Sequence, residues 1–170
     1  MKSLNHFNNS DQIKGIQNFD NSLFKRVPIE LESQFNKSAE YFFKIGLKND
    51  LKDKSIYSDE SVEHLDAWIP VIAKAKLTED ERYCYLCLII SYFGQYMIKK
   101  FGGNWVYDIR IGTNFAVDFF IKCMDKHEIY YPIGFHLYDL IYKGEGDSLK
   151  SRIQCMDNIS STYKRFDSRS

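Results

Sequence analysis

Between Thr78 and Gly103 the sequence marks both ends of one long, apolar helix, and any fold for this chain has to bury it. Thr78 followed three residues later by Glu81 is a capping box, in which hydroxyl and carboxylate satisfy the free amides of a first turn. Lys99 and Lys100 suit the negative end of the helix dipole, and Gly102-Gly103 can adopt the left-handed backbone that closes a helix. The predicted helix therefore runs from about Glu79 to Phe101. Its most apolar stretch, Tyr83 to Ile98, is interrupted by Gln95 and flanked closely by charge, whereas a membrane-spanning helix needs roughly 20 apolar residues. We expect a buried central helix with no membrane contact.

Other elements follow from periodicity. Leu31, Phe35, Ala39, Phe42, Phe43 and Leu47 recur at spacings of three and four, which predicts a helix from Ile29 to about Lys48, weakened by Gly46. Ser58 or Asp59 can cap a further helix whose apolar face is Val62, Leu65, Trp68, Ile69 and Ile72. Pro70 should kink or shorten it near its middle. Trp105–Ile111 alternates large apolar residues with others, and Gly112-Thr113-Asn114 offers a turn before Phe115–Phe120, so a small β-hairpin is expected after the long helix. Ile121–Lys126 and Phe135–Tyr142 read as short helices separated by a Tyr-Tyr-Pro loop. A last helix is expected over about Ser148–Tyr163, with Asp147 or Ser148 as its cap. Residues 1–27, rich in Asn, Ser, Asp and Gln, read as a polar arm closed by Pro28, and 28–170 as a single helical domain. The expected class is mainly α (α+β).

Charge and cysteine usage narrow the function. Lys plus Arg equals Asp plus Glu at 23 each, so no net positive field draws in a phosphate backbone, and nucleic acid is not an expected partner. The N-terminal ten residues lack the apolar core of a signal peptide, and four cysteines are too few for a secreted disulfide scaffold; a cytoplasmic protein with reduced thiols is expected. Aromatic residues make up 16% of the chain, enough both to fill a core and to anchor a partner.

The candidate chemistry is sparse. Cys84-Tyr85-Leu86-Cys87 has the C-x-x-C spacing of redox dithiols and half zinc sites, but it falls inside an apolar helix, where cysteine packs as a small hydrophobe. Cys123 and His127 could complete a zinc site with it only if the fold brought them together. Glu60, Glu63, His64 and Asp66 are the densest group of ionisable side chains; Glu60 and His64 share a helical face while Glu63 projects elsewhere, and a solvated, self-paired face is the expected role. None of the serines lies in Gly-x-Ser-x-Gly, the histidines at 6, 64, 127 and 136 lie in no motif of a triad base, and neither phosphate-loop pattern occurs. No cofactor and no metal is expected, and the chain is read as a non-enzyme.

Three segments together resemble a known group. Tyr57-Ser58-x-Glu60-Ser61-Val62-x-x-Leu65-Asp66, then Tyr92-Phe93-Gly94-Gln95-Tyr96-x-Ile98-Lys99-x-x-Gly102-Gly103-x-Trp105-Val106, and finally Gly144-Glu145-Gly146-Asp147-Ser148-Leu149 resemble small uncharacterised bacterial proteins of polymorphic-toxin loci, in which an immunity protein accompanies a toxin. Where that pattern commonly has Gly-Glu, this chain has Gly94-Gln95. The resemblance implies an immunity-type protein that binds a cognate protein toxin and occludes its active site. The contact residues expected on this reading are acidic and tyrosine positions of loops: Tyr107, Asp108, Glu128, Tyr130, Tyr131 and Glu145. The alternatives are a hydrolase with a spatially assembled His64 or His127, and a structural homodimer or scaffold.

Overall fold

The computed structural model describes residues 24–47, 55–108, 119–123 and 129–167, and the fold is mostly helical with a small antiparallel sheet of four strands. In chain order these are β1 (Phe24–Arg26), α1 (Ile29–Phe42), α2 (Asp59–Lys74), α3 (Glu79–Phe101), β2 (Asn104–Asp108), β3 (Phe119–Cys123), β4 (Ile129–Tyr131), α4 (Ile133–Tyr138) and α5 (Leu149–Asp167). Helices α1 and α4 each continue into a widened, π-type turn, Phe43–Leu47 and Asp139–Lys143. Among the described residues no helix is long and apolar enough to cross a membrane.

The signals at the ends of α3 operate as the sequence predicts. The Thr78 hydroxyl accepts from the Glu81 amide (3.3 Å) and Glu81 Oε2 accepts from the Thr78 amide (2.8 Å). At the other end the Gly102 amide donates to the Ile98 carbonyl (2.8 Å). Between these ends, Ile89 to Met97 are buried without interruption, so this part of α3 is covered on every side. Gln95 lies in that run, and its Nε2 has no hydrogen-bond partner.

Two residues fix how the sheet meets α3. The chain turns back through Gly102-Gly103 and lays the Trp105 indole on Gly94; a Cβ at position 94 would stand 2.1 Å from the indole ring. A Cβ at Gly103 would stand 1.8 Å from the Lys122 carbonyl oxygen, so the first residue after the turn has to pass bare against β3. The bare face of Gly94 is thus filled by the tryptophan of β2. Phe35 of α1 covers the indole from another side (4.5 Å between ring centroids) and meets Phe119 edge-on.

The strand order is β1-β2-β3-β4, all antiparallel, with Trp105 opposite Ile121 and Ile121 opposite Tyr131. Alternation then places Trp105, Ile121, Cys123, Ile129 and Tyr131 in the main core, while Phe24, Val106 and Phe120 form a second, smaller cluster with Tyr130 on the opposite face. Several expectations change here. The expected hairpin is the β2–β3 pair within a larger sheet, and its turn lies outside the described residues. Phe119–Cys123 is a strand where a helix was expected from Ile121: Phe-Phe-Ile-Lys-Cys alternates inward and outward and is too short to nucleate a helix alone. Tyr130 and Tyr131, expected in a loop, are the edge strand β4. Phe24–Arg26, the end of the expected arm, is β1, and the Val27 amide extends its pairing to the Trp105 carbonyl (3.1 Å).

Helix α2 runs through Pro70 to Lys74 instead of stopping in its middle. Arg82, from the second turn of α3, holds the end in place. Its guanidinium donates to the carbonyls of Ile72 (3.3 Å), Ala73 (3.2 Å) and Ala75 (3.0 Å) at the end of α2, and to Ile141 (3.2 Å) in the turn after α4. One cation thus satisfies carbonyls that a helix end leaves free and ties three elements together. We predict that Arg82→Met, which keeps the stem but removes every donor, lowers the unfolding free energy by about 2–3 kcal/mol in urea titration, and that Arg82→Lys recovers only part of it. A cost within ~0.5 kcal/mol for Arg82→Met would contradict the clamp.

Candidate functional site

Along α2, Asp59, Glu63 and Asp66 fall at i, i+4 and i+7, a spacing that puts three carboxylates on one stripe of a helix. The helix begins cleanly: Ser58 accepts from the Ser61 amide (3.2 Å), which seats Asp59 in the positively polarised first turn. Each carboxylate of the stripe meets a different distant partner. Asp59 accepts from the Tyr96 hydroxyl (2.6 Å) and from Lys100 Nζ (3.3 Å), both on the last turns of α3. Glu63 pairs with Lys150 (2.8 Å), and Asp66 accepts from the backbone amides of Leu149 (2.8 Å) and Lys150 (3.5 Å). Asp66 therefore supplies from another helix what an N-cap side chain supplies locally, while Ser148 caps the same turn by accepting from Ser151 (3.2 Å).

The stripe borders a cleft of about 260 Å³ between α2, α3 and α5. Val62, Tyr96 and Ile153 give it apolar wall, and Asp59, Glu63, Asp157, Lys100 and Lys150 give it charge. Lys100 bridges Asp59 and Asp157 (3.4 Å to the latter) with its side chain only 25% exposed. The hydrogen bond from Tyr96, with help from Lys100, holds the Asp59 carboxyl below its ordinary pKa; burial and then Asp59 itself push the Tyr96 phenol well above its own. Tyr96 is thus a permanent donor and Asp59 a permanent anion at neutral pH. The rim presents both signs of charge in exchangeable ion pairs beside an apolar wall, an arrangement suited to receiving a partner's side chains.

This corrects the expectation for the acidic group of α2. Glu63 and Asp66 pair with α5 and not within their own helix. The 59/63/66 spacing is visible in the sequence, but nothing local pairs it with Lys100, Lys150 and the start of α5. His64 is half-buried and Glu60 exposed.

The expected contact residues do not form one surface. Tyr107 is half-buried in β2 and packs at the edge of the main core; Asp108 ends β2 and is buried on the other face, as its register opposite Phe24 requires. Tyr130 also lies on that outer face, stacked on Phe24 at 4.4 Å between centroids. Tyr131 is buried. Glu145 is exposed between the turn after α4 and α5, and Glu128 lies outside the described residues, as does His127. Cys84, expected in the core, is exposed; Cys87 is half-buried and Cys123 fully buried. Among the described residues no three His, Cys, Asp or Glu side chains converge as metal ligands would.

The histidine with a specific environment is His136, in α4. It is buried; Nε2 lies 2.7 Å from the Asp147 carbonyl, so Nε2 carries the proton and donates, and Nδ1 accepts from the Tyr131 hydroxyl. This chain of bonds joins β4, α4 and the segment leading into α5. Burial pushes the imidazole below its ordinary pKa and the Tyr131 phenol above its own. Both ring nitrogens are committed to holding structure, which is a positioning role for the start of α5 and so for one wall of the cleft.

Compared with known proteins, the chain matches no family model, no curated protein sequence and no solved structure.

Neutral His136 makes stability depend on pH with a definite sign. The unfolded chain takes up a proton near pH 6.5 and the folded one only at lower pH, so this contribution is complete above about 6.5 and is lost as the pH falls toward the folded value. We predict that the urea midpoint of the native protein falls more between about pH 7.5 and about pH 5.5 than that of His136→Gln. Equal slopes for the two proteins would contradict the assignment.

Proposed function

We propose that this chain is an immunity-type protein, which binds a cognate bacterial toxin in the cytoplasm and neutralises it by occluding its active site. The observation that supports this reading best is spatial. Parts of the three segments carrying the resemblance, about 57–66, 92–106 and 144–149, are far apart in sequence yet pack together: Tyr96 of the second donates to Asp59 of the first (2.6 Å), and the Leu149 amide of the third to Asp66 of the first (2.8 Å); the first two line the cleft, and the third leads into its α5 wall. Read as one domain built around α3 as its central helix, the fold uses Gly94, Gly103 and Trp105 for packing and Gly102 for the turn that ends α3, and leaves the ends of α2, α3 and α5 to carry recognition.

Of the contact residues expected from sequence, Glu145 remains exposed at the edge of the third segment, and Tyr107 and Tyr130 are partly exposed. The buried side chains of Asp108 and Tyr131 belong to the fold. We therefore centre the contact surface on Glu63, Lys150 and Asp157. With no net charge on the chain, selectivity for a partner comes from this local pattern of alternating sign.

Co-expression with the products of adjacent genes tests the proposal. A toxic neighbour whose growth inhibition is relieved, and which co-purifies in a stoichiometric complex, is the expected result. Lys150→Glu, on an exposed ion pair that adds little to stability, and Asp157→Lys, on the half-buried pair with Lys100, should each weaken that complex at least roughly tenfold, with thermal unfolding nearly unchanged for Lys150→Glu. If no neighbouring product is toxic or binds, the immunity reading fails; if a complex forms and both charge reversals bind as well as the native protein, the reading stands and the cleft is the wrong surface.

A further inference from the structure

Cys87 packs at the edge of the main core, but Cys84, one turn before it, is left exposed, and neither lines the cleft. Both lie on α3, one turn apart, on the part of the helix that precedes the fully buried run. Cys84 is exposed, and Cys87, one turn further along the helix, is half-buried. Helix geometry separates the α-carbons of residues i and i+3 by about 5 Å, inside the 4.4–6.8 Å range of disulfides, while their Cβ atoms stand slightly too far apart for an unstrained bond. A bond at this spacing forms at some local cost and is readily reduced.

We propose that Cys84 and Cys87 are a dithiol exchange site for low-molecular-weight disulfides, of which glutathione disulfide is the representative. The exposed Cys84 thiolate attacks one sulfur of glutathione disulfide; a Cys84–glutathione bond forms, the sulfur–sulfur bond of the reagent breaks, and one glutathione thiolate leaves. Cys87, after losing its proton to solvent, attacks Cys84 Sγ; the Cys84–Cys87 bond forms and the second glutathione leaves as thiolate. The two protein thiols are oxidised by two electrons and one glutathione disulfide is reduced to two glutathiones. The division of labour follows from exposure: Cys84 meets the reagent, and half-buried Cys87, whose thiol burial pushes up, attacks only once the mixed disulfide stands beside it on Cys84. Cys123 is fully buried, whereas Cys155 is exposed on α5, so Cys155 is the site of unproductive single modification to remove.

The test uses the full chain carrying Cys155→Ser, treated with glutathione disulfide while folded and analysed as the tryptic peptide from Tyr83 to Lys99, which contains both thiols. The expected product is a peptide lighter by about two mass units with no retained glutathione, restored by dithiothreitol. Adding Cys87→Ser should trap glutathione on Cys84, and Cys84→Ser should slow modification of Cys87 at least roughly tenfold. A stable glutathione adduct on Cys84 with Cys87 intact would overturn the proposal. So would the absence of reaction in folded protein when the same peptide reacts after unfolding, or equal rates for the two single-cysteine variants.

Discussion

The contact between the Trp105 indole and the bare α-carbon of Gly94 sets the distance between α3 and the sheet, and the rest of the core is arranged around it. Only Gly102 and Gly103 separate the end of α3 from β2, so the strand must double back along the helix that precedes it. The indole fills the space left where Gly94 has no side chain, and Phe35 of α1 closes over it. Once Trp105 is seated, antiparallel pairing fixes Ile121 and Tyr131 on the same face, and Tyr131 in turn meets Phe93 of α3 and His136 of α4. Register, helix packing and the orientation of α4 thus share one origin.

A second set of interactions works at the helix ends. Arg82 gathers the carbonyls at the end of α2, and Asp66 gathers the first amides of α5. Each supplies from a neighbouring helix the charge that an isolated helix end lacks, positive at the carboxyl end and negative at the amino end. Because Asp59 and Glu63 continue the stripe that begins this capping, the cleft and the fold are made by the same face of α2. A partner that exchanged the exposed ion pairs of that face would leave Asp66 and Arg82 in place, which lets recognition vary without cost to folding.

What could be read from the sequence was what depends on near neighbours. The capping box at Thr78 and Glu81, the glycine stop at 102 and 103, the caps at Ser58 and Ser148, and the apolar stripes of α1 and α2 all act within a few residues. The misread parts depend on distant ones. Phe119–Cys123 carries apolar residues compatible with either period, and only pairing with β2 and β4 makes it a strand. Tyr130 and Tyr131 look like loop residues before a proline until β3 gives them a partner. The stripe Asp59–Glu63–Asp66 had a visible spacing but no visible counterpart, since Lys100 and Lys150 lie tens of residues away. Cys84 was misplaced because it sits in an apolar segment, and hydropathy averaged along a helix does not say which side of its first turns is covered.

The most direct measurement is a double-mutant cycle on Gly94→Ala and Trp105→Phe followed by urea unfolding. If the indole occupies the space above Gly94, Gly94→Ala should cost about 1–3 kcal/mol in the native background despite the better helix propensity of alanine. In the Trp105→Phe background, where the outer indole ring is gone, most of that cost should disappear, giving a coupling energy of at least ~1 kcal/mol. An alanine that stabilises the native protein, or that costs the same in both backgrounds, would show that this contact does not set the packing of the fold.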